Sequence, residues 1–299
     1  MKTIGWVVHG RLKKDRRWAK LDRMIRVDDT FNHKVVFTEY SGHATALTQM
    51  HIHAKCDYIV GVGGDGTLNE CANGIAQQGA SIPLGVIAMG TGNDFVKSLG
   101  IKGNWEELQQ AMVKGESAEV DIIRIQFMNR SGQSEERYCL NVLDIGIGGE
   151  VVQRMAKSKR RLGPFLTYQK AIISTLIQLK RPIVQWQMGN QKFHEKTLML
   201  AIANAKWFGS GLGIAPGADV RDGQMEIIHL GDISILDYFK QLPYLRKGQY
   251  LKHREIRYDQ ATHLQVNTPE LPIDCDGEFI GTTPMDVQII QGRLKILAP

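Results

Sequence analysis

Two segments of this chain set glycines and carboxylates at a spacing suited to phosphate chemistry. Asp57-Tyr58-Ile59-Val60-Gly61-Val62-Gly63-Gly64-Asp65-Gly66-Thr67-Leu68-Asn69-Glu70 reads as a buried strand that delivers three close glycines and an acid to the start of a helix. The backbone N–H groups and dipole of a helix start favour an anion. Gly63, Gly64 and Gly66 let phosphate oxygens reach the backbone without a Cβ in the way. Asp65 is a poor direct partner for phosphate because like charges repel, and it suits Mg²⁺, a bridging water or a sugar hydroxyl. Ile82–Ala88 followed by Met89-Gly90-Thr91-Gly92-Asn93-Asp94-Phe95 repeats the arrangement. Two such turns at the carboxyl ends of parallel strands fall where α/β sheets bind ligands. Neither is the G-x-x-x-x-G-K-[ST] loop, and the plain alternative is glycines that only shape tight connections.

Further along, Asp276-Gly277-Glu278 places two carboxylates two residues apart, one able to accept a hydroxyl proton while the other orients it. An exposed acidic hairpin is the alternative. Asp222-Gly223 offers hard oxygen ligands of the kind Mg²⁺ prefers, or is simply a turn. The four cysteines, Cys56, Cys71, Cys139 and Cys275, form no C-x-x-C pair, which argues against a zinc ribbon, a dithiol site or a disulfide scaffold. A reducing cytoplasm fits best.

The elements needed to position these groups change character near residue 125. Before it, apolar strands at Ile4–Val8, Lys34–Thr38, Tyr58–Val62 and Ile82–Ala88 alternate with helices at Trp18–Val27, Ala44–Ala54 and Leu68–Gln77, the pattern of a parallel sheet covered on both faces. After it come strands at Ile122–Phe127, Tyr138–Ile145, Thr197–Ala203, Met225–Leu230, Glu255–Tyr258, His263–Val266 and Asp286–Ile290, as in a largely antiparallel domain. Asn129–Ser134 reads as a hairpin or connector, and Leu162–Leu179 and Ile235–Leu245 have helical spacing.

The chain has 299 residues, with 37 basic and 31 acidic side chains for a net charge of +6. That excess suits anionic lipid, nucleotides or nucleic acid. Nucleic acid is not expected, because the cations are not interleaved with aromatics. The opening residues Met1–Val8 do not read as a signal peptide, and no window is apolar enough to span a membrane. Lys157, Lys159, Arg160 and Arg161 before Leu162–Leu179, with Lys180 and Arg181 after it, suit shallow contact with an anionic membrane. A helix packed on the second domain explains them equally well. Trp207-Phe208 is a candidate site lining or ordinary core.

Gly63-Gly64-Asp65-Gly66-Thr67-Leu68-Asn69-Glu70 together with Gly90-Thr91-Gly92-Asn93-Asp94-Phe95 resembles the signature of the diacylglycerol kinase catalytic domain family, especially its small bacterial lipid kinases. Thr38–Ala44, Gly209–Pro216, Asp222-Gly223 and Asp276-Gly277-Glu278 extend the resemblance, in order, over nearly the whole chain. It implies an α/β nucleotide-binding domain with a parallel sheet over 1–128, a mainly antiparallel β-sandwich lipid-substrate domain over 129–299, and an active site in the cleft between them. The implied reaction is transfer of the γ-phosphate of ATP, with Mg²⁺, to a lipid hydroxyl, diacylglycerol leading. Sphingoid bases, other lipid alcohols, an NAD kinase-like activity and a nucleotide-binding accessory role are the alternatives.

By the same resemblance, Gly63, Gly64, Asp65, Gly66 and Thr67 line the ATP phosphates, with Gly92, Asn93 and Asp94 opposite. Asp276 is the general base, paired with Glu278. Asp222, with the carbonyls of Asp219 and Gln224, holds a structural Mg²⁺, and Asp121 and Asp65 are further acids for metal in the cleft. Where the family opens with Asn-Pro-x-x-Gly, this chain has His9-Gly10-Arg11-Leu12-Lys13-Lys14; Gly10 keeps the turn and the cations supply charge. The lipid is presented by a membrane surface, contacted peripherally from the cytoplasm, and a homodimer is a candidate assembly.

Overall fold

The computed structural model describes residues 1–129, 131–151, 172–175 and 181–298. They form two compact units, Met1–Ile122 with Gln291–Pro299, and Ile123–Ile290. The chain therefore enters the second unit once and returns, ending as an added strand of the first. No helix of the described residues is long and apolar enough to cross a membrane.

In the first unit, β1 (Thr3–Val8), β2 (Asn32–Phe37), β3 (Tyr58–Gly63) and β4 (Leu84–Ala88) run parallel in the order β2-β1-β3-β4. Ile296, near the C-terminus, pairs with Leu84 on the free side of β4. Helices α1 (Arg16–Arg26), α2 (His43–His53), α3 (Asp65–Gln77), α4 (Asp94–Leu99) and α5 (Trp105–Lys114) connect them. The central strand β3 is buried at every position, as its unbroken apolar run requires. Trp6, Trp18, Trp105 and Leu108 pack in the core on one side of this sheet. Neither α4 nor α5 is among the expected elements, although Asn104 caps α5 through Glu107 N and Gly115 closes it in the left-handed conformation.

Strand β5 (Ala118–Met128) leads into the second unit, where β6 (Ser134–Cys139), β7 (Val142–Gly146), β8 (Ile183–Met188), β9 (Gln191–Lys196), β10 (Met199–Ala203), β11 (Trp207–Phe208), β12 (Leu212–Gly213) and β13 (Met225–Leu230) follow. Helix α6 (Ile235–Lys247), β14 (Ile256–Ala261), β15 (His263–Val266), β16 (Pro272–Cys275) and β17 (Glu278–Ile296) complete it. One path runs β14-β13-β10-β7-β16-β17; β15 pairs with β17 and β8, β8 with β9, and β5 with β17 and β6. The long β17 joins both groups. Leu143, Ile145, Leu200, Ile202, Ile273 and Val287 fill one core, while Val142, Met199, Ala201 and Ala203 look to the opposite face with Leu212 and Leu245. Period-two alternation explains the split.

The expected strand over Tyr138–Ile145 is two strands, broken at Leu140-Asn141, where the backbone turns to meet Asp276. The expected Asp286–Ile290 is the middle of the 19-residue β17. Asn129 nucleates the connector between β5 and β6: its Oδ1 accepts the N–H groups of Ser131 and Gln133, both at 3.0 Å. Lys157, Lys159, Arg160, Arg161, Lys180 and most of the expected Leu162–Leu179 helix lie outside the described residues; 172–175 are helical.

Candidate active site

In the first unit, β3 ends at Gly63, Gly64 caps α3 in extended conformation, and Asp65 is its first residue. The helical ladder opens with Leu68 N–H to Gly64 O at 3.1 Å, so the amides of Asp65, Gly66 and Thr67 precede it. The second turn is tied to the first at the backbone, Met89 N–H donating to Gly63 O at 2.8 Å. A Cβ built on Gly90 would fall onto Gly64 Cα, and one on Gly64 would lie 3.1 Å from Gly90 Cα. The two glycines are thus required by the close approach of the turns. Within the second, Gly90 N–H donates to Asn93 Oδ1 at 3.1 Å, and Asn93 takes the left-handed conformation before α4.

Asp65 Oδ1 accepts the Phe95 N–H at 3.0 Å, joining the starts of α3 and α4. Gly61, Gly63, Gly64, Asp65, Asn93 and neighbouring aliphatic side chains line a small cavity here. The structure thus brings Gly63, Gly64, Asp65 and Asn93 together. Thr67 is buried beside Gly63, Gly66 faces open space, and Asp94 is buried at the start of α4. Gly10 lies against Thr38, whose Oγ1 accepts its N–H at 3.0 Å, and His9 caps the following 3-10 turn through Arg11 N. Arg11, Lys13 and Lys14 stand exposed. Asp121 is buried and accepts the Gly292 N–H at 2.7 Å, away from the lining of this cavity.

Glu70 does work that the sequence pattern did not reveal. Helix α2 is capped by Gly42, which has no side chain to accept its first amides. Glu70 accepts the Gly42 N–H at 2.9 Å and the Ala44 N–H at 2.8 Å in its place. Glu70→Ala is expected to cost about 1–2 kcal/mol, as loss of a helix cap does, read as a lower urea midpoint with unchanged m.

In the second unit, Asp276 sits in the β16–β17 turn at φ 50°. Its carboxylate accepts N–H groups of Leu140 at 2.8 Å, Asn141 at 2.9 Å and Val142 at 3.1 Å, and the Cys139 thiol at 3.3 Å. Burial raises its pKa against the opposing pull of these hydrogen bonds. Glu278 pairs with Arg137 at 3.7 Å. Ligand atoms of Cys139, Cys275 and Asp276 lie within 4.8 Å of one another. Burial pushes the Cys139 thiol well up, and the sulfurs of Cys139 and Cys275 do not suit hard Mg²⁺.

Asp219 and Asp222 stand exposed in a turn before β13: Asp219 Oδ1 accepts Arg221 N–H at 3.1 Å and Asp222 Oδ1 accepts Gln224 N–H at 2.9 Å. Glu226, absent from the expected residues, is buried behind them, accepts Gly217 N–H at 2.9 Å and is raised in pKa by burial. The donors of this loop are all oxygens, which fits a hard cation. Trp207 pairs through β11 with β12, and Phe208 lines a second, apolar cavity.

A parallel α/β unit with paired glycine turns, followed by an antiparallel sandwich carrying a buried acid turn, defines a phosphotransferase of the kinase type. The diacylglycerol kinase catalytic domain model matches residues 8–125, and the model of the YegS C-terminal NAD kinase beta sandwich-like domain matches residues 141–298, more than half of the chain, which belongs to that family. It is a lipid phosphotransferase of the diacylglycerol kinase kind. A diacylglycerol kinase of Staphylococcus aureus (strain JH9) is 27% identical over 267 residues, covering 88% of this chain and 81% of the relative. The crystal structure of a putative diacylglycerol kinase from Bacillus anthracis str. Sterne superposes with a TM-score of 0.74 at 22% identity, over 100% of this chain and 97% of that one. Yeast NADH kinase complexed with NADH shares the fold more distantly, at a TM-score of 0.50 and 9% identity, over 100% of this chain and 84% of that one.

Proposed function

We propose that the chain transfers the γ-phosphate of ATP to the free hydroxyl of diacylglycerol, giving phosphatidic acid and ADP. The observation that carries the lipid is the apolar cavity in the second unit, walled by Leu198, Met199, Leu212, Ile214, Leu245 and Leu251 among others. Gln241, on its wall, has its amide engaged by the Lys252 backbone at 3.0 and 2.9 Å. Such a wall suits acyl chains and offers a nicotinamide nucleotide little, which disfavours the NAD kinase-like reading.

In this reading residues 1–128 bind ATP and 129–299 the lipid, and both contribute groups to the reaction. The amides of Gly64, Gly66 and Thr67 hold phosphate oxygens, assisted by Gly10, Gly63, Gly92, Asn93 and Asp94. Asp276 takes the proton of the hydroxyl as its oxygen bonds to the γ-phosphorus and the bond to the ADP oxygen breaks. Burial makes Asp276 a stronger base than an exposed aspartate, the backbone amides fix its direction, and Glu278 orients the acceptor. Asp65 in the first unit, and Asp222 with the carbonyls of Asp219 and Gln224 in the second, are the groups that would hold Mg²⁺. When bound, Mg²⁺ neutralises phosphate charge and braces the loop.

The lipid is met at the cytoplasmic face of a membrane by peripheral contact. Support comes from α6, where Leu236 and Phe239 are 72% and 49% exposed one turn apart, followed by Arg246 and Lys247.

Leu212→Trp, which narrows the apolar cavity, tests the lipid reading. It is expected to raise KM for long-chain diacylglycerol about tenfold, the worth of roughly two buried methylenes, with KM for ATP and turnover of a dispersed short-chain diacylglycerol little changed. Equal losses on both lipids would remove the cavity from the reading.

A further inference from the structure

The most conspicuous polar groups outside the machinery above are two acids in the middle of a sheet. Strands β7 and β16 are antiparallel neighbours, and Asp144 lies directly opposite Asp274 in their register. Leu143, Ile145, Ile273 and Cys275 point into the sandwich core, so alternation puts Asp144 and Asp274 together on the other face. They are only 1% and 7% exposed. On the far side of β7, Asp144 faces Ala201 of β10.

The helical residues 147–151 close over Asp144. Gly148 supplies a backbone hydrogen bond to it, and a Cβ on Gly148 would land on the Asp144 carboxylate. Among the described residues no lysine, arginine or histidine forms an ion pair with either acid. The charged groups nearest Asp274 are Asp276 and Glu278 on its own turn, both repulsive, and Arg137 of β6 is paired with Glu278. Cys139 and Cys275 are buried thiols whose pKa values are raised, so they bring no compensating charge. Glu150 follows in the overlying helical residues.

Two ionised carboxylates cannot persist in such a place without a cation. Asp144 Oδ1 is buried with no hydrogen-bond partner, although a carboxyl oxygen there demands one. A proton held between the opposed acids supplies the missing donor and removes one of the two charges. Asp274 also reaches the active-site turn, its Oδ1 accepting the Gly277 N–H at 2.8 Å between Asp276 and Glu278.

We propose that Asp144 and Asp274 share a single proton, and that Asp274, held in this way, is the positioning residue for the Asp276-Gly277-Glu278 turn. Burial agrees, pushing Asp144 up to about 7 and Asp274 well above the carboxylate range, with repulsion from Asp144 adding to the rise. The folded chain then keeps protons that the unfolded chain releases above about pH 4. Stability contributed by the pair is present at low pH and is lost as pH rises through the folded value near 7.

The role given to the turn rests on the kinase reading; the shared proton does not. The test follows the Gly277 amide by NMR and urea stability from acid to alkaline pH in wild type and Asp144→Asn, with kcat measured alongside. Wild type is expected to show a Gly277 shift that titrates near neutrality, falling stability, and a kcat that declines on the alkaline side. Asp144→Asn should flatten the first two and lift the alkaline limb of the third. Unchanged titration and stability slopes in the variant would overturn the proposal. So would a Gly277 amide in wild type that does not move with pH, a result independent of whether any variant folds. Titrating Gly277 in a protein with no lipid kinase activity would defeat the kinase reading and leave the shared proton standing; kinase activity with a motionless Gly277 would do the reverse.

Discussion

Gly90→Ala is expected to lose on the order of 10²-fold in kcat/KM for ATP, the effect of displacing a positioning element by about an ångström. The new Cβ falls onto Gly64 Cα, which is backbone and cannot swing aside. The two turns must part, moving the α3 amides and breaking the Met89 N–H to Gly63 O bond. Overpacking of this kind costs about 1–3 kcal/mol in stability as well. Gly66→Ala is the control, because its Cβ meets nothing within 4 Å. That change should leave the fold intact or slightly firmer and raise KM for ATP only if phosphate approaches Gly66 itself. Isothermal titration with ATP and steady-state kinetics on both variants separate the cases. Normal ATP affinity in Gly90→Ala would place the nucleotide elsewhere.

Asp276→Ala is expected to lower kcat by about 10²–10⁴-fold, the contribution of a positioned general base. It also removes the acceptor of three backbone N–H groups at the break between β6 and β7. Leaving buried donors unmatched costs roughly 1–3 kcal/mol, so the melting temperature should fall too. Glu278→Ala tests whether the turn or the base is responsible: its carboxylate pairs with Arg137 at 3.7 Å, and its loss should lower kcat less than the loss of Asp276 does. Because burial raises the folded pKa of Asp276, the base is fully ionised only as pH rises above that value. Activity should therefore climb from acid toward neutral pH, and an acid limb that persists unchanged in Asp276→Ala would assign it to another group.

Local patterns made much of this molecule readable. The buried runs at Tyr58–Val62 and Ile82–Ala88, each ending in glycines, give the parallel sheet and the meeting of its two turns. Helix α5 was legible too, in its flanking asparagine and glycine and in the helical spacing of Trp105, Leu108, Ala111 and Met112. Pairings between distant segments were less legible. Tyr138–Ile145 looks continuous because both halves are apolar; the break at Leu140-Asn141 exists only because Asp276, 136 residues on from Leu140, draws those amides to itself. Of β17 only Asp286–Ile290 was legible, because Gly281 and Pro284 interrupt its alternation. Glu70 stood out only as the last residue of the glycine-rich segment, since the amides it satisfies belong to another helix. Asp144 did leave a trace: an acid in the otherwise apolar run Val142–Ile147 calls for a partner, and its opposite number, Asp274, becomes visible only in the register of β7 with β16.

The central claim is phosphoryl transfer from ATP to diacylglycerol. Labelled γ-phosphate should pass, in the presence of Mg²⁺, into phosphatidic acid from mixed micelles of diacylglycerol, and Asp65→Ala and Asp276→Ala should both lose that product. Label appearing in a sphingoid base, another lipid alcohol or NAD while diacylglycerol stays unlabelled would contradict the assignment, as would phosphatidic acid formed undiminished by the Asp276→Ala enzyme.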